Sequence, residues 1–421
     1  MSSTSGFRAL LATQALSAFN HNMLRSALVT LVAFGALDGA GMSGATAVAL
    51  STLLLVAPYA ILSIPAGRLA DRFAKAGLIR WTKSFEVVVF SIAGAGFLLA
   101  DVRILLAAVL LAGIEAAVFG PAKFGILPEL LPQKDLIRGN AWVSASATVA
   151  ILAGLVAGNL LVSSGAGLAI VVAGGLILAV IGWAICYRIP MAAPQAPDIA
   201  ISASALVGDF WYLFRRLAAL PALVLPMVGS SWFWFQGAAN TSLMPLYVAQ
   251  TPGLPESIVS ILLVAASLGV AFGAICARWL GGGPHARFLP AAALSVICLP
   301  GLDLWLGGPI TDSADIVRSA IDFFVMAAGC GLYAVPLATA VQMLTPDKER
   351  ARFVGLNHTL NGLAMLASGL VVLLLNLPGM SVELIFGMTA VMSGVIAALA
   401  LFHTLPALAK ARTAGAVAAG S

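Results

Sequence analysis

Twelve apolar stretches punctuate this chain, and each is about as long as a helix must be to cross a bilayer. They run roughly over 8–34, 45–66, 82–100, 104–127, 140–163, 166–189, 221–249, 257–279, 286–306, 315–344, 352–377 and 381–405. Inside the hydrocarbon core every backbone N–H and C=O must be satisfied by the protein itself, so only helices and closed barrels cross it. Barrel strands alternate apolar and polar residues over short segments, and these stretches do not alternate. The pattern predicts an all-α integral membrane protein with twelve transmembrane helices. Of the 421 residues 61% are apolar and 9% are charged, which excludes a soluble globular domain. The polar start, residues 1–6, is short. The first apolar stretch is too long for a signal-peptide core and lacks a small-residue cleavage site.

The net charge of +5 follows the loops. Basic residues cluster at Arg68, Arg72, Lys75 and Arg80, at Lys134 and Arg138, and at Arg188, Arg215 and Arg216. They do so again at Arg278 and Arg287, at Lys348, Arg350 and Arg352, and at Lys410 and Arg412. The opposite loops carry only Arg103 and Arg318. This is the positive-inside distribution, and it predicts a multi-pass protein with both termini cytoplasmic. Nucleic-acid binding needs a soluble basic face, and no such face is available. Cys186, Cys276, Cys298 and Cys330 stand singly in apolar stretches without metal-ligand spacing, so they read as buried packing residues. Neither a metal nor a cofactor is implied.

Polar residues inside the spans narrow the function. Between Glu115 and Asn140 the chain reads E-A-A-V-F-G-P-A-K-F-G-I-L-P-E-L-L-P-Q-K-D-L-I-R-G-N. Glu115 and Lys123 fall at membrane depth, where an ionisable group marks a pathway by default. Lys123 alternatively snorkels to the cytoplasmic headgroups. The first span carries Asn20, His21, Asn22 and Arg25. His21 and Arg25 are four apart and share a helix face, which points into a cavity or glues helices together. Lys83 and Glu86, at i and i+3, read as a pair at the membrane interface. Asn140 and Asn159 read as helix–helix hydrogen bonders, and Gly154–Asn159 as a close-packing stretch. The seventh span holds Trp232 and Trp234, as interface anchors or cavity walls, and Gln236 and Asn240 on one face. The tenth holds Asp322 near its outer end, and the eleventh Asn357, His358 and Asn361.

The chain also echoes itself. Pro336 and the following T-P-D-K-E-R repeat Pro121 and L-P-Q-K-D-L-I-R at an offset of about half the chain, the mark of parallel repeats in a two-bundle transporter. Residues 191–220 form the one long cytoplasmic linker. Within it Leu206, Phe210, Leu213, Phe214 and Leu217 recur at helical spacing with Arg215 and Arg216 opposite, which predicts an amphipathic helix on the membrane surface. The expected organisation is a six-span half over 1–190, this linker, a second six-span half over 221–406, and a disordered tail over 407–421.

Gly67–Ala76, G-R-L-A-D-R-F-A-K-A, resembles the signature loop between spans two and three of the major facilitator superfamily. The match lies at Gly67, Leu69, Ala70, Asp71 and Arg72. F-G-P-A-K-F-G-I-L-P-E-L, G-L-Y-A-V-P-L-A-T-A and the span-seven aromatics are similar to its lysophospholipid transporter branch. The resemblance covers nearly the whole chain. It implies two six-helix bundles around a central cavity that opens alternately to either side, with Gly67, Asp71 and Arg72 as a gate. It also implies movement of lysophospholipid across the bacterial inner membrane, among membrane lipids, with reacylation by a separate acyltransferase/acyl-carrier-protein synthetase. The protein is expected to be a monomer and no enzyme. Three positions depart from the branch: His21 replaces its acidic residue, span seven lacks its arginine, and Asn361 stands where it carries a glutamate. Arg25 and Lys123 are candidates for the phosphate, Glu115 for an ammonium headgroup, and Trp232 or Trp234 for a cation–π contact. The competing reading is a proton-coupled drug or metabolite exporter in which His21, Glu115 or Asp322 titrates.

Overall fold

The computed structural model describes residues 3–33, 44–162, 167–251, 254, 257–280, 288–376 and 380–398. The side chains of Asn159 and Leu206 and the tail over 407–421 lie outside the described residues. Among the described residues no strand occurs.

A helix lies on each of the twelve apolar stretches. They are α1 (Ser3–Ala33), α2 (Gly44–Arg72), α3 (Lys75–Leu98), α4 (Val102–Gly125), α6 (Leu136–Val162) and α7 (Gly167–Cys186) in the first half. The second half has α9 (Pro221–Ala249), α10 (Ser257–Leu280), α11 (Leu289–Leu306), α12 (Ser313–Leu344), α13 (Arg350–Asn376) and α14 (Val382–Ala398). Two shorter helices, α5 (Leu127–Leu130) and α8 (Ala203–Ala218), sit in the connections. Among the described residues seven helices are long and apolar enough to cross a membrane on length and composition alone, and α8 with α9 makes an eighth span if that bent pair counts as one. α1 and α3 miss that mark because each carries a polar cluster: Asn20, His21, Asn22 and Arg25 in one, Lys83 and Glu86 in the other.

The sequence echo is structural. Pro132 is extended and leads through a 3-10 turn, Gln133–Asp135, into α6. Pro346 is extended in the same way and leads through a 3-10 turn, Asp347–Glu349, into α13. Proline fixes φ and cannot donate to a preceding turn, so each one ends the connection and starts the next helix in the same geometry.

The chain divides into two compact units. Unit 1 comprises Met1–Leu136, Ser146–Arg215 and Thr345–Gly362, and unit 2 comprises Ile137–Ala145, Arg216–Leu344 and Leu363–Ser421. The opening turns of α6 therefore belong to unit 2, and the first half of α13 belongs to unit 1. The core of unit 1 is built on Leu24, Leu28, Phe90, Phe97, Leu105 and Val109. That of unit 2 is built on Tyr247, Leu294, Phe323, Tyr333 and Phe386. The outward surfaces are apolar as well: Ile61, Leu98 and Leu306 are 70%, 77% and 78% exposed. Water would penalise such faces and lipid does not. Gly154 and Gly158 let α6 approach α1 backbone to backbone, since a Cβ on either would collide with the carbonyl of Phe19 or Met23.

Candidate functional site

In unit 1 a buried ionic cluster forms where α1, α3 and α4 meet. Lys83 Nζ lies 2.7 Å from Glu86 and 2.7 Å from Glu115, and all three side chains are buried. Ser17 of α1 donates to Glu86 at 2.6 Å. His21 turns its Nε2 to both carboxylates, 3.6 Å from Glu115 Oε2 and 3.9 Å from Glu86 Oε1. That nitrogen is buried and makes no hydrogen bond. Its ring stacks parallel to Phe90 at 6.1 Å between centroids, and the Lys83 ammonium sits 4.1 Å over the Phe119 ring. The i, i+3 pair of Lys83 and Glu86 thus exists, but it lies in the protein interior and not at the membrane interface. The reason is that α3 begins at Lys75, about two turns before Lys83, through a polar first stretch that apolar patterning does not register.

The other residues of the α1 face behave differently from one another. Asn20 donates to Gly175 O of α7 at 2.9 Å and glues two helices. Asn22 donates back to Ala18 O of its own helix at 2.8 Å. Arg25 donates to Thr52 of α2 at 3.0 Å, and its Nε makes no hydrogen bond.

Lys123 follows Pro121, which α4 accommodates without ending. Its ammonium stands 4.7 Å from the Phe124 ring centroid and 5.5 Å from that of Phe119. It has no hydrogen bond or ion pair to a described residue. His358 of α13 lies against Gly120 and between Phe124 and Tyr59. Asn357 and Asn361 are buried on the same helix.

In unit 2 the seventh-span candidates separate. Trp232 donates its indole N–H to Ser393 at 3.0 Å, and Ser393 donates to Gln236 Oε1 at 2.7 Å. Gln236 and Asn240 both point their amide nitrogens at the Met326 sulfur, at 3.8 and 3.5 Å. Trp234 is exposed and packs edge-on against Phe233, away from this chain of contacts.

The residues of the signature loop meet α13. Asp71 Oδ1 accepts from the backbone N–H of Ala351 at 2.9 Å, and Oδ2 accepts from that of Arg352 at 3.1 Å and from its Nε at 3.2 Å. Asp71 therefore caps a helix from a distant part of the chain, with the positive end of the helix dipole reinforcing the contact. Gly67 makes the approach possible, because a Cβ there would collide with Ala351 O. Arg68 pairs with buried Asp209 of α8, and Arg352 stands 3.7 Å from the same carboxylate. Arg72 donates to Ile199 O in the linker. Asp209 was not singled out from the sequence, and Arg352 figured there only as a basic loop residue. The available signal was an acid on an otherwise apolar and basic amphipathic helix. On α8 Asp209 and Leu213 are buried while Val207, Phe210 and Trp211 are exposed, so the acid faces the protein and aromatic residues face outward. Asn140 and Gln342 exchange reciprocal amide hydrogen bonds of 2.8 and 3.0 Å, the helix–helix role expected for Asn140.

Comparison with known proteins agrees with this architecture. The sequence profile of the Major Facilitator Superfamily matches residues 10–317. The chain is 29% identical over 246 residues to a protein named lysophospholipid transporter LplT from Yersinia pestis (strain Pestoides F), and to one of the same name from Yersinia pseudotuberculosis serotype I (strain IP32953). Each match spans 58% of this chain and 58% of the relative's length. Among solved structures, a fucose:proton symporter of E. coli superposes with a TM-score of 0.69 at 16% identity, over 94% of this chain and 98% of that one. A bacterial homologue of the iron transporter ferroportin gives 0.68 at 15% identity, over 93% and 99%. These likenesses establish the twelve-helix, two-bundle fold, and with the profile match over most of the chain they place it: the protein belongs to the major facilitator superfamily.

Proposed function

We propose that this transporter moves lysophospholipids across the bacterial inner membrane by alternating access, with both termini in the cytoplasm. The observation that carries the reading is Lys123. It is a cation in a membrane-spanning helix, held between two aromatic faces and paired with no acid among the described residues. A phosphate supplies the missing partner through a charge-assisted hydrogen bond. Arg25, whose Nε makes no hydrogen bond, is a second donor. The names of the relatives at 29% identity agree with a single-tailed phospholipid. An acyltransferase/acyl-carrier-protein synthetase that reacylates lysophospholipid is the natural consumer of the product.

The test is reconstitution into liposomes with labelled lysophosphatidylethanolamine, lysophosphatidylglycerol and their diacyl counterparts. Single-tailed lipids should cross and diacyl lipids should not. Hydrogen bonds to charged groups contribute roughly 1.5–3 kcal/mol, so Lys123→Gln should weaken lysolipid binding by about 10- to 100-fold. Transport of a drug panel with no lysolipid movement would replace this reading by export of another substrate.

A further inference from the structure

We infer that Tyr59 and His358 complete a phosphate cradle with Lys123, and that this cradle selects lysophospholipids with an anionic headgroup over those that carry an ammonium. The choice of lipid rests on the transport reading above, and the cradle rests on the placement of three side chains.

Lys123 comes from α4, Tyr59 from α2 and His358 from α13, all within unit 1. The Lys123 ammonium and the His358 ring both lie against Phe124, the first 4.7 Å from its centroid and the second 5.5 Å between centroids. They are close enough to interact electrostatically. The rings of His358 and Tyr59 stand 6.1 Å apart. His358 Nε2 faces Gly120 of α4, 3.5 Å from where a Cβ would stand, and glycine brings no side chain to meet it. Among the described residues none of the three side chains makes a hydrogen bond or an ion pair. All three are half-buried, so a ligand can reach them.

Their positions are fixed by the backbone. Thr359 donates its hydroxyl to Tyr59 O at 3.5 Å. On either side of His358, α13 runs against the backbone of α2. A Cβ at Gly355 would stand 2.2 Å from Ser63 O, and one at Gly362 would stand 3.0 Å from Ala60 N. Small residues of this kind let membrane helices pack backbone to backbone. Two helices locked together thus hold a phenol and an imidazole beside an ammonium, and the protein supplies no acceptor for any of them. One phosphate diester supplies acceptors for all three: it takes a hydrogen bond from the ammonium, from the phenol O–H and from the imidazole N–H. The second imidazole nitrogen is then an acceptor for a headgroup hydroxyl.

The headgroup preference follows from where the acids are. The Phe119 ring meets two ammonium groups, Lys83 at 4.1 Å and Lys123 at 5.5 Å. Glu86 and Glu115 are buried and each is held by Lys83 at 2.7 Å. Glu129 is held by Lys75 at 2.7 Å. A headgroup ammonium on the cradle therefore meets the charge of Lys123 and finds these acids already paired. Like charges brought together in this way oppose binding. A glycerol headgroup brings hydroxyls and no positive charge.

The test is the binding of lysophosphatidylglycerol, lysophosphatidylethanolamine and lysophosphatidylcholine to the full-length protein in nanodiscs, with monoacylglycerol as the ligand that keeps the tail and lacks the phosphate. Lysophosphatidylglycerol should bind at least about fivefold more tightly than the two ammonium lipids. Tyr59→Phe and His358→Phe each keep a ring and remove a donor. Each should weaken lysophosphatidylglycerol by about tenfold and leave monoacylglycerol unchanged, whereas a purely structural role would move both. Lys123→Gln should cut the advantage of the glycerol lipid to within about twofold. Glycerophosphoglycerol, the headgroup without a tail, reads the cradle alone through the His358 signal in histidine ¹⁵N NMR, assigned by its loss in His358→Phe. A shift of that signal with the soluble diester supports the cradle even if no lysolipid binds, and the substrate reading then falls alone. Equal affinity for the three lysolipids, an advantage that survives Lys123→Gln, losses that extend equally to monoacylglycerol, or a His358 signal that responds to inorganic phosphate and not to the diester would each overturn the inference.

Discussion

Asp71 is the residue on which most contacts of the signature loop converge. Its two oxygens accept from two backbone N–H groups and one guanidinium of α13. Capping contacts contribute about 0.5–2 kcal/mol, which is enough to bias a two-state transporter without unfolding it. Asp71→Asn keeps one acceptor oxygen but turns an NH2 group toward a donor. If the loop acts as a gate and makes no contact with substrate, lysolipid flux in liposomes should fall at least several-fold while equilibrium binding stays within about twofold. Equal losses of flux and affinity would show that the loop serves binding. The same residue illustrates what patterning conveys. The loop resemblance singled out Asp71 as a gate, but its partner lies 280 residues away in the chain, and no local spacing names such a partner. Lys83 teaches the converse. Its pairing with Glu86 was readable from i, i+3 spacing, and its depth was not, because depth depends on where α3 begins. A buried charge such as Glu115 calls for a counter-charge, but spacing along the chain did not name Lys83 as the residue that supplies it.

At the scale of elements, glycines set how closely helices run. Gly67 on α2 admits the backbone of α13 at Ala351, and Gly355 on α13 admits Ser63 of α2 in return. A side chain at Gly67 must push the two apart. Overpacking of this kind costs about 1–3 kcal/mol, so Gly67→Leu should lower the thermal unfolding midpoint in detergent. It should also make a cysteine at Ala351 more accessible to a water-soluble maleimide than in the parent. Unchanged midpoint and accessibility would mean that the helices are not in contact in the membrane. The span-by-span positions of the helices were readable from apolar run length, and so was the repeat of proline, short turn and helix at α6 and α13. The orientation of α8 was not. Periodicity located an amphipathic helix, but Asp209 turns toward Arg68 and Arg352, and so Trp211, which lies outside the expected stripe, is left exposed at 63%. A charge buried without a partner is costly, and Asp209 sits where Arg68 and Arg352 can pair it.

At the scale of the molecule, composition determines class and loop charge predicts topology, and the site's chemistry has to come from how spans meet. The positive-inside distribution makes a direct prediction. In intact cells, a cysteine placed at Asp312 should react with an impermeant maleimide, and one placed at Lys348 should react only after the membrane is opened; the reverse pattern would invert the topology. The two proline-led helices add a consequence of their own. α13 is gripped through a carboxylate, Asp71, whereas the start of α6 is gripped through the neutral amides of Asn140 and Gln342. Amides neither gain nor lose a proton over the range of living cells, but a carboxylate can be neutralised. Protonating Asp71 would therefore weaken the contact between α2 and α13 and leave the amide pair at the start of α6 unchanged.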